Sequence, residues 1–264
     1  YMKNGNRISK DEMNKRKSDV CDLYTSGKTI KEVSLELGLT YRQVEYIVNI
    51  LKISRKRGPQ NLTKNLDFFK RIDTERKSYF LGWIMADANV SNHNNQYSLK
   101  IHISSKDIDI LNSFMDDIKS DNKISKRVVN EKEYVYTSIT SKEMVEDLMR
   151  HGVVPNKSTK EKIPNIRKEL IPHFIRGYFD GDGITCVKNI KRSGFVGGYE
   201  MLKQIQDETN IKKSIFQANN SKAFYYLMGM KESHKLYEYM YKDATVFSLR
   251  KKQRMDIICE KVLR

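Results

Sequence analysis

Two aspartates in matched surroundings are the residues of this chain whose type and spacing best suit chemistry. Asp87 closes the run Ser78-Tyr-Phe-Leu-Gly-Trp-Ile-Met-Ala-Asp87, and Asp182 closes His173-Phe-Ile-Arg-Gly-Tyr-Phe-Asp-Gly-Asp182, 95 residues later. Each run reads as an apolar helix ending in a carboxylate, although the negative end of a helix dipole disfavours an acid there by about 0.3–1 kcal/mol. Gly82 and Ala86 are four apart, as are Gly177 and Gly181. Small residues at that spacing let two helix backbones approach, even though a mid-helix glycine costs about 1 kcal/mol relative to alanine. Packed through these positions, the helices bring both carboxylates to one end, where they repel unless cations bridge them. That geometry suits Mg²⁺-assisted phosphodiester hydrolysis, in which metal ions activate water and stabilise the leaving oxygen. Asp180 has Met85 as its counterpart in the first run, so it reads as a structural hydrogen-bonding group. Trp83, Tyr178 and Phe179 read as packing residues.

The elements around the two runs also repeat. After the first come strand-like Tyr97–Ser104, a helix over Lys106–Lys119, a hairpin over Ile124–Thr140 turning about Asn130–Lys132, and a helix over Lys142–His151. After the second come a hairpin over Gly183–Gly197, a helix over Tyr199–Thr209, strand-like Lys213–Met230 and a helix over Glu232–Tyr241. Two α+β halves in tandem are expected. Alternation buries Leu99, Ile101 and Ile103 and leaves Ser98, Lys100 and His102 on the other face of their strand. In the same way Tyr134, Tyr136 and Ser138 oppose Val135, Thr137 and Ile139.

Charge names the class of partner. The 264 residues carry 49 Lys and Arg against 33 Asp and Glu, a formal +16, which calls for a polyanion, nucleic acid first. No segment reads as a membrane span, signal peptide or lipid-binding helix, and the three cysteines form no CxxC pair, so a cytoplasmic chain is expected. The first 65 residues hold 14 Lys and Arg against 7 Asp and Glu. They read as a helix over Asp11–Ser26, then helix, turn, helix: Thr29 with Glu32 forms a capping box, Gly38 supplies the turn and Thr40 caps Tyr41–Leu51. This resembles a helix-turn-helix DNA-binding domain of the homeodomain-like or resolvase type. The resemblance puts the last helix in the major groove, with Tyr41, Arg42, Gln43 and Tyr46 toward DNA. The Gly58-Pro59 pair marks a break, giving an expected division into a 1–52 helix-turn-helix domain, a 53–66 linker and halves over 67–166 and 167–264.

At Phe80–Ala88 (FLGWIMADA) and Ile175–Gly183 (IRGYFDGDG) the chain resembles the LAGLIDADG homing endonucleases, and the resemblance runs over about 75–264. It includes Leu236–Arg250 (LYEYMYKDATVFSLR), which looks like the C-terminal helix and turn of phage and intron members. The resemblance implies a monomer of two pseudo-symmetric αββαββα halves, with the signature helices at their interface and two antiparallel sheets forming a basic saddle over double-stranded DNA with a long asymmetric site. It implies that Asp87 and Asp182 bind divalent metal, Mg²⁺ or Mn²⁺, helped by the backbone carbonyls of Ala86 and Gly181, with Ca²⁺ supporting binding without cleavage. Both strands would be cut across the minor groove, leaving short 3′ overhangs. A basic residue ordering water near the centre is implied too, with Lys100, Lys126 and Lys222 as candidates. Lys100, His102, Tyr134 and Tyr136 on the first sheet, and Lys188, Lys191 and Arg192 after the second motif, would contact DNA; the bland alternative for each is a solvated strand face. His102 and His173 read as core or DNA-facing, and not catalytic.

One departure stands out. The first motif ends Asp87-Ala88-Asn89 where the family usually has Asp-Gly, which removes the left-handed residue expected to end the helix unless Asn89 supplies it. A distorted first metal site would make the protein a nicking or non-cleaving DNA-binding regulator. An RNA-binding splicing cofactor is a third reading. The terminal Leu263-Arg264 lacks the His-Asn of an intein, so a free-standing or intron-borne protein is expected.

Overall fold

The computed structural model describes residues 9–53, 62–93, 95–155, 161–217 and 222–260. The Gly58-Pro59 break and most of the expected linker lie outside them. The chain divides into two units, 1–60 and 61–264. In the first, α1 (Lys10–Thr25), α2 (Ile30–Glu36) and α3 (Tyr41–Ile50) enclose a small core of Val20, Tyr24, Val33, Val44, Ile47 and Val48. Reciprocal capping boxes start the two short helices: Thr29 with Glu32, and Thr40 with Gln43. Gly38 turns the chain between them at φ +60, a left-handed conformation that favours glycine.

The second unit is built on α4 (Glu75–Asp87) and α7 (Ile171–Asp182). Every residue from Ser78 to Ala86 is buried, as expected of a helix at the centre of a core. After α4 come β1 (Ala88–His93), β2 (Gln96–Ser104), α5 (Ile108–Asp117), β3 (Ser125–Val129), β4 (Lys132–Thr140) and α6 (Lys142–Arg150). After α7 come β5 (Gly183–Cys186), β6 (Arg192–Gly197), α8 (Tyr199–Thr209), β7 (Ile215–Gln217), β8 (Phe224–Met228), α9 (Met230–Tyr241) and α10 (Leu249–Cys259). Each half is therefore αββαββα, with a final helix added. The sheets share one antiparallel topology, β1-β2-β4-β3 and β5-β6-β8-β7. The β3–β4 hairpin turns at Asn130 and Glu131, both at positive φ, the twist that two-residue hairpin loops require.

Glycine decides how the two central helices meet. A Cβ at Gly82 would overlap the Phe174 carbonyl oxygen, one at Gly177 would overlap the Tyr79 carbonyl, and one at Gly181 would overlap the Ala86 methyl. Backbone thus lies on backbone at Gly82 and Gly177, and the Gly181 backbone lies on the side chains of Ala86 and Asp87. Each helix then packs its flanks on its own half: Phe80 and Trp83 on Phe114 (ring centroids 5.2 and 5.9 Å), and Phe179 on Phe195 (5.3 Å).

The helix ends correct the sequence expectation. Neither helix stops at a left-handed residue: Ala88 (φ −97, ψ 165) and Gly183 (φ −75, ψ 144) both run straight into a strand. Asn89 lies in β1. Glycine is needed at 183 for space, because a Cβ there would overlap the Phe179 carbonyl. The Ala88-Asn89 departure therefore does not alter how the first motif ends.

Gly82→Ala and Gly177→Ala are each expected to destabilise the protein by at least about 1–3 kcal/mol, the usual cost of overpacking. Urea denaturation checks this, and a midpoint equal to that of the unsubstituted chain would contradict the backbone contact.

Candidate active site

The glycine-packed helices end side by side. At their C-terminal ends the Asp87 carboxylate lies against the Gly181 backbone, its Oδ2 3.2 Å from where a Cβ would stand. Asp182 is the next residue along, and its charge reaches Tyr178 one turn earlier, whose hydroxyl pKa is driven upward first by burial and then by that carboxylate. Both aspartates are half-buried. Two acids and the last carbonyls of two helices thus gather at one place, with donor atoms of the hard oxygen type that Mg²⁺ and Mn²⁺ prefer. Among the described residues no group of three His, Cys, Asp or Glu side chains could hold a metal ion, so a cation here would rely on these two carboxylates and backbone.

Beneath the acids lies a buried lysine that the sequence reading missed. Lys251, on α10, is 4 % exposed. Its ammonium donates to the carbonyls of Phe179 (2.7 Å), Gly181 (2.8 Å) and Gly183 (2.9 Å). Its three N–H groups thus bind three carbonyls at the C-terminal end of α7, that of Phe179 also accepting from the Gly183 amide, where the helix dipole favours a cation. Burial brings the Lys251 pKa down to about 8, against the upward pull of Asp180 and Asp87. The sequence did hold a signal: Lys251 stands where an apolar residue belongs in the buried stripe Met255, Ile258, Cys259. Gly181, expected to lend its carbonyl to a metal, lends it to this ammonium, so a second cation there would face a positive charge.

Asp180 is structural, as its place in the motif suggested. Its Oδ2 accepts from the Tyr79 hydroxyl and the Ser248 amide, both at 2.7 Å. No donor among the described residues reaches Oδ1. Burial pushes its pKa up to about 6, against the opposing effects of Lys251 and these hydrogen bonds. Ser248 caps α10, and Arg250 makes a two-point pair with Asp107 of the first half (2.9 and 2.7 Å). Arg176, fully buried in α7, donates to Glu75 (2.6 Å), to the Val246 and Met240 carbonyls and to Nδ1 of His173. His173 is therefore held neutral at that nitrogen, and burial lowers its pKa.

Strand register sorts the remaining expected residues. Lys100 and His102 are exposed on the face of β2 turned away from the helices, opposite Ser138 and Tyr136 of β4. His102 also stacks on Tyr134 at 5.0 Å. Lys100 pairs with Asn89, two residues beyond Asp87, so it stands where the first sheet begins. Lys126 does not share that face. It pairs with buried Val135 and points with it to the helix side, where it meets Glu133 at 3.6 Å; its neighbour Arg127, opposite Tyr134, is the cation that β3 puts on the open face. Lys222 is exposed ahead of β8. Lys188 is exposed, whereas Lys191 donates to the Ile257 carbonyl at the end of α10 (2.7 Å) and is thereby committed within the fold. Arg192 is half-buried on β6. In the first unit Tyr41, Arg42 and Tyr46 are exposed at the start of α3, but the amide oxygen of Gln43 is taken by its capping box with Thr40 (2.8 Å), leaving only its NH₂ to face outward.

No family model matches this sequence, and no curated protein matches it. Solved structures do. The meganuclease I-SmaMI bound to uncleavable DNA superposes with a TM-score of 0.50 at 11% identity, covering 70% of this chain and 89% of its own. I-LtrWI, a LAGLIDADG homing endonuclease bound to target DNA, gives 0.50 at 9% identity, covering 75% and 92%. The second unit has the LAGLIDADG homing endonuclease fold.

Lys251→Met is expected to cost about 3–5 kcal/mol, since it removes three hydrogen bonds to the end of α7 and one of the two buried cations, Lys251 and Arg176, that act on Asp180; a melt close to that of the parent chain would contradict the cap. Asp180 binds its proton more tightly folded than unfolded, between the ordinary 3.8 and about 6. In EDTA its contribution therefore makes stability fall as pH rises from about 4 to about 6. Asp180→Asn should lose that part of the pH slope, and denaturation across the window measures it.

Proposed function

We propose that this chain is a site-specific double-stranded DNA endonuclease that hydrolyses phosphodiester bonds with divalent metal at Asp87 and Asp182. One observation carries the reading: two helices packed through glycine deliver two carboxylates to a single place, and an antiparallel sheet leaves that place from each side. Asp87 and Asp182 would hold the metal together with the Ala86 carbonyl. Bound there, Mg²⁺ or Mn²⁺ supplies a Lewis acid and an acidified water. The protein's own part is positional. The sheets bind and orient the duplex, Lys251 fixes the end of α7, and Lys100 stands beside Asn89 where it can hold a water near Asp87.

The first unit is read as a helix-turn-helix module that places Tyr41, Arg42 and Tyr46 on DNA. Tethered modules raise each other's local concentration at neighbouring sites and so lengthen the sequence recognised. The ground for a nicking or regulatory protein was a distorted first motif, and Ala88 shares its extended backbone with Gly183.

A plasmid library with randomised inserts tests the activity. Linear product is expected in Mg²⁺ or Mn²⁺ and none in EDTA, with Ca²⁺ giving binding only, and Asp87→Asn and Asp182→Asn should each abolish double-strand cutting. Binding without any cleavage in Mg²⁺ would instead leave a DNA-binding regulator. For the first unit, Arg42→Ala should reduce the slope of log K against log salt by about one; an unchanged slope would remove α3 from the DNA contact.

A further inference from the structure

The two sheets share a topology but not a chemistry on the faces turned away from the helices. On the first, β2 and β4 present Ser98, Lys100, His102, Ser138 and Tyr136. On the second, Phe195, Tyr226 and Met228 pack inward. Of the alternate residues five are apolar or aromatic, Ile184, Val196, Phe216, Tyr225 and Leu227, while Cys186 and Arg192 pair at the far end of β5 and β6: register sets Ile184 against Gly194, Gly194 against Leu227, and Val196 and Phe216 against Tyr225. None of these five belongs to the hydrophobic core or packs against it. Phe216 is 46% exposed and stacks on Tyr225 with centroids 5.8 Å apart. An outward-facing apolar strip with polar residues at its rim marks a contact surface.

Its place in the fold says what the strip meets. Ile184 follows Asp182 by two residues, as Asn89 follows Asp87, so both faces start at the carboxylates and a duplex centred there runs over both. Lys188, Lys212 and Lys222 stand exposed on the turns at the strand ends, giving an apolar centre framed by cations. Phosphates need the frame, and the one apolar group on a base edge in the major groove is the thymine methyl.

We propose that the second sheet reads thymine 5-methyl groups, so that the half-site under β5–β8 is thymine-rich while the half-site under β1–β4 is read by hydrogen bonds. This rests on the DNA-binding reading above. The test is selection of duplexes from a randomised library by the full chain in Ca²⁺, followed by replacement of thymine with uracil in one half of the selected duplex at a time. Uracil keeps the base pair and removes only the methyl. Uracil in one half is expected to weaken binding about tenfold or more, the worth of two or three buried methyls, and in the other half less than about twofold. The double variant Phe216→Ser, Leu227→Ser should keep its thermal melt and bind the thymine and uracil duplexes alike. Equal sensitivity of the two halves, or full discrimination by the double variant, overturns the proposal and leaves DNA binding standing. So does a double variant that binds DNA as the parent does but loses self-association in sedimentation, which would make the strip a contact between copies. Selection that recovers no preferred duplex overturns the DNA reading itself and this inference with it.

Discussion

Everything in the second unit depends on two helix backbones touching. A side chain at Gly82, Gly177 or Gly181 would separate α4 from α7, and separation would take Asp87 away from the Gly181 backbone and from Asp182. Glycine in a helix sacrifices local stability of about 1 kcal/mol per residue. The sacrifice is recovered by the aromatic flanks, where Phe80, Trp83, Phe114, Phe179 and Phe195 are almost entirely buried. The centre is thus an acidic pair held by sterics, inside a molecule whose excess charge is positive.

The positive charge near that centre is of two kinds. Lys251 is internal, spent on the carbonyls of α7, and it offsets the helix dipole that makes a terminal aspartate unfavourable. Lys100, Arg127 and Lys188 face outward and are available to phosphates. Arg176 and Arg250 belong to the first kind: each binds a carboxylate and ties a C-terminal segment to the helix pair or to the first half. Formal net charge counts both kinds alike, and so overstates what the surface offers to a polyanion.

Periodicity made most of the architecture legible. The tandem repeat, the hairpins over Ile124–Thr140 and Gly183–Gly197, the alternation in β2 and β4, and the Thr29–Glu32 capping box are local patterns, and local physics produces them; β1, the split of Lys213–Met230 into β7 and β8, and the Thr40–Gln43 box were not read from such patterns. What escaped was set by contacts distant in sequence. Lys251 interrupts an apolar stripe on α10, but what its ammonium meets appears only when α10 is laid against α7. Lys126 is the second residue of β3, and only its pairing with Val135 shows which way it points. The helix ends were misread because Asp-Gly suggests a left-handed stop, whereas Gly183 is needed for room beside Phe179.

The ties across the halves bear on how such a molecule can evolve. Asp107 comes from the first repeat and grips Arg250, whose neighbour Lys251 caps the helix of the second; Glu75, also from the first, holds Thr245 and Arg176 of the second. Two halves of one topology are thus a single interlocked body. Exchange of one repeat for a homologous one would keep the carboxylates and the glycines yet lose the clasp that seats the lysine, so substitution on the outward sheet faces disturbs this body less than shuffling its halves.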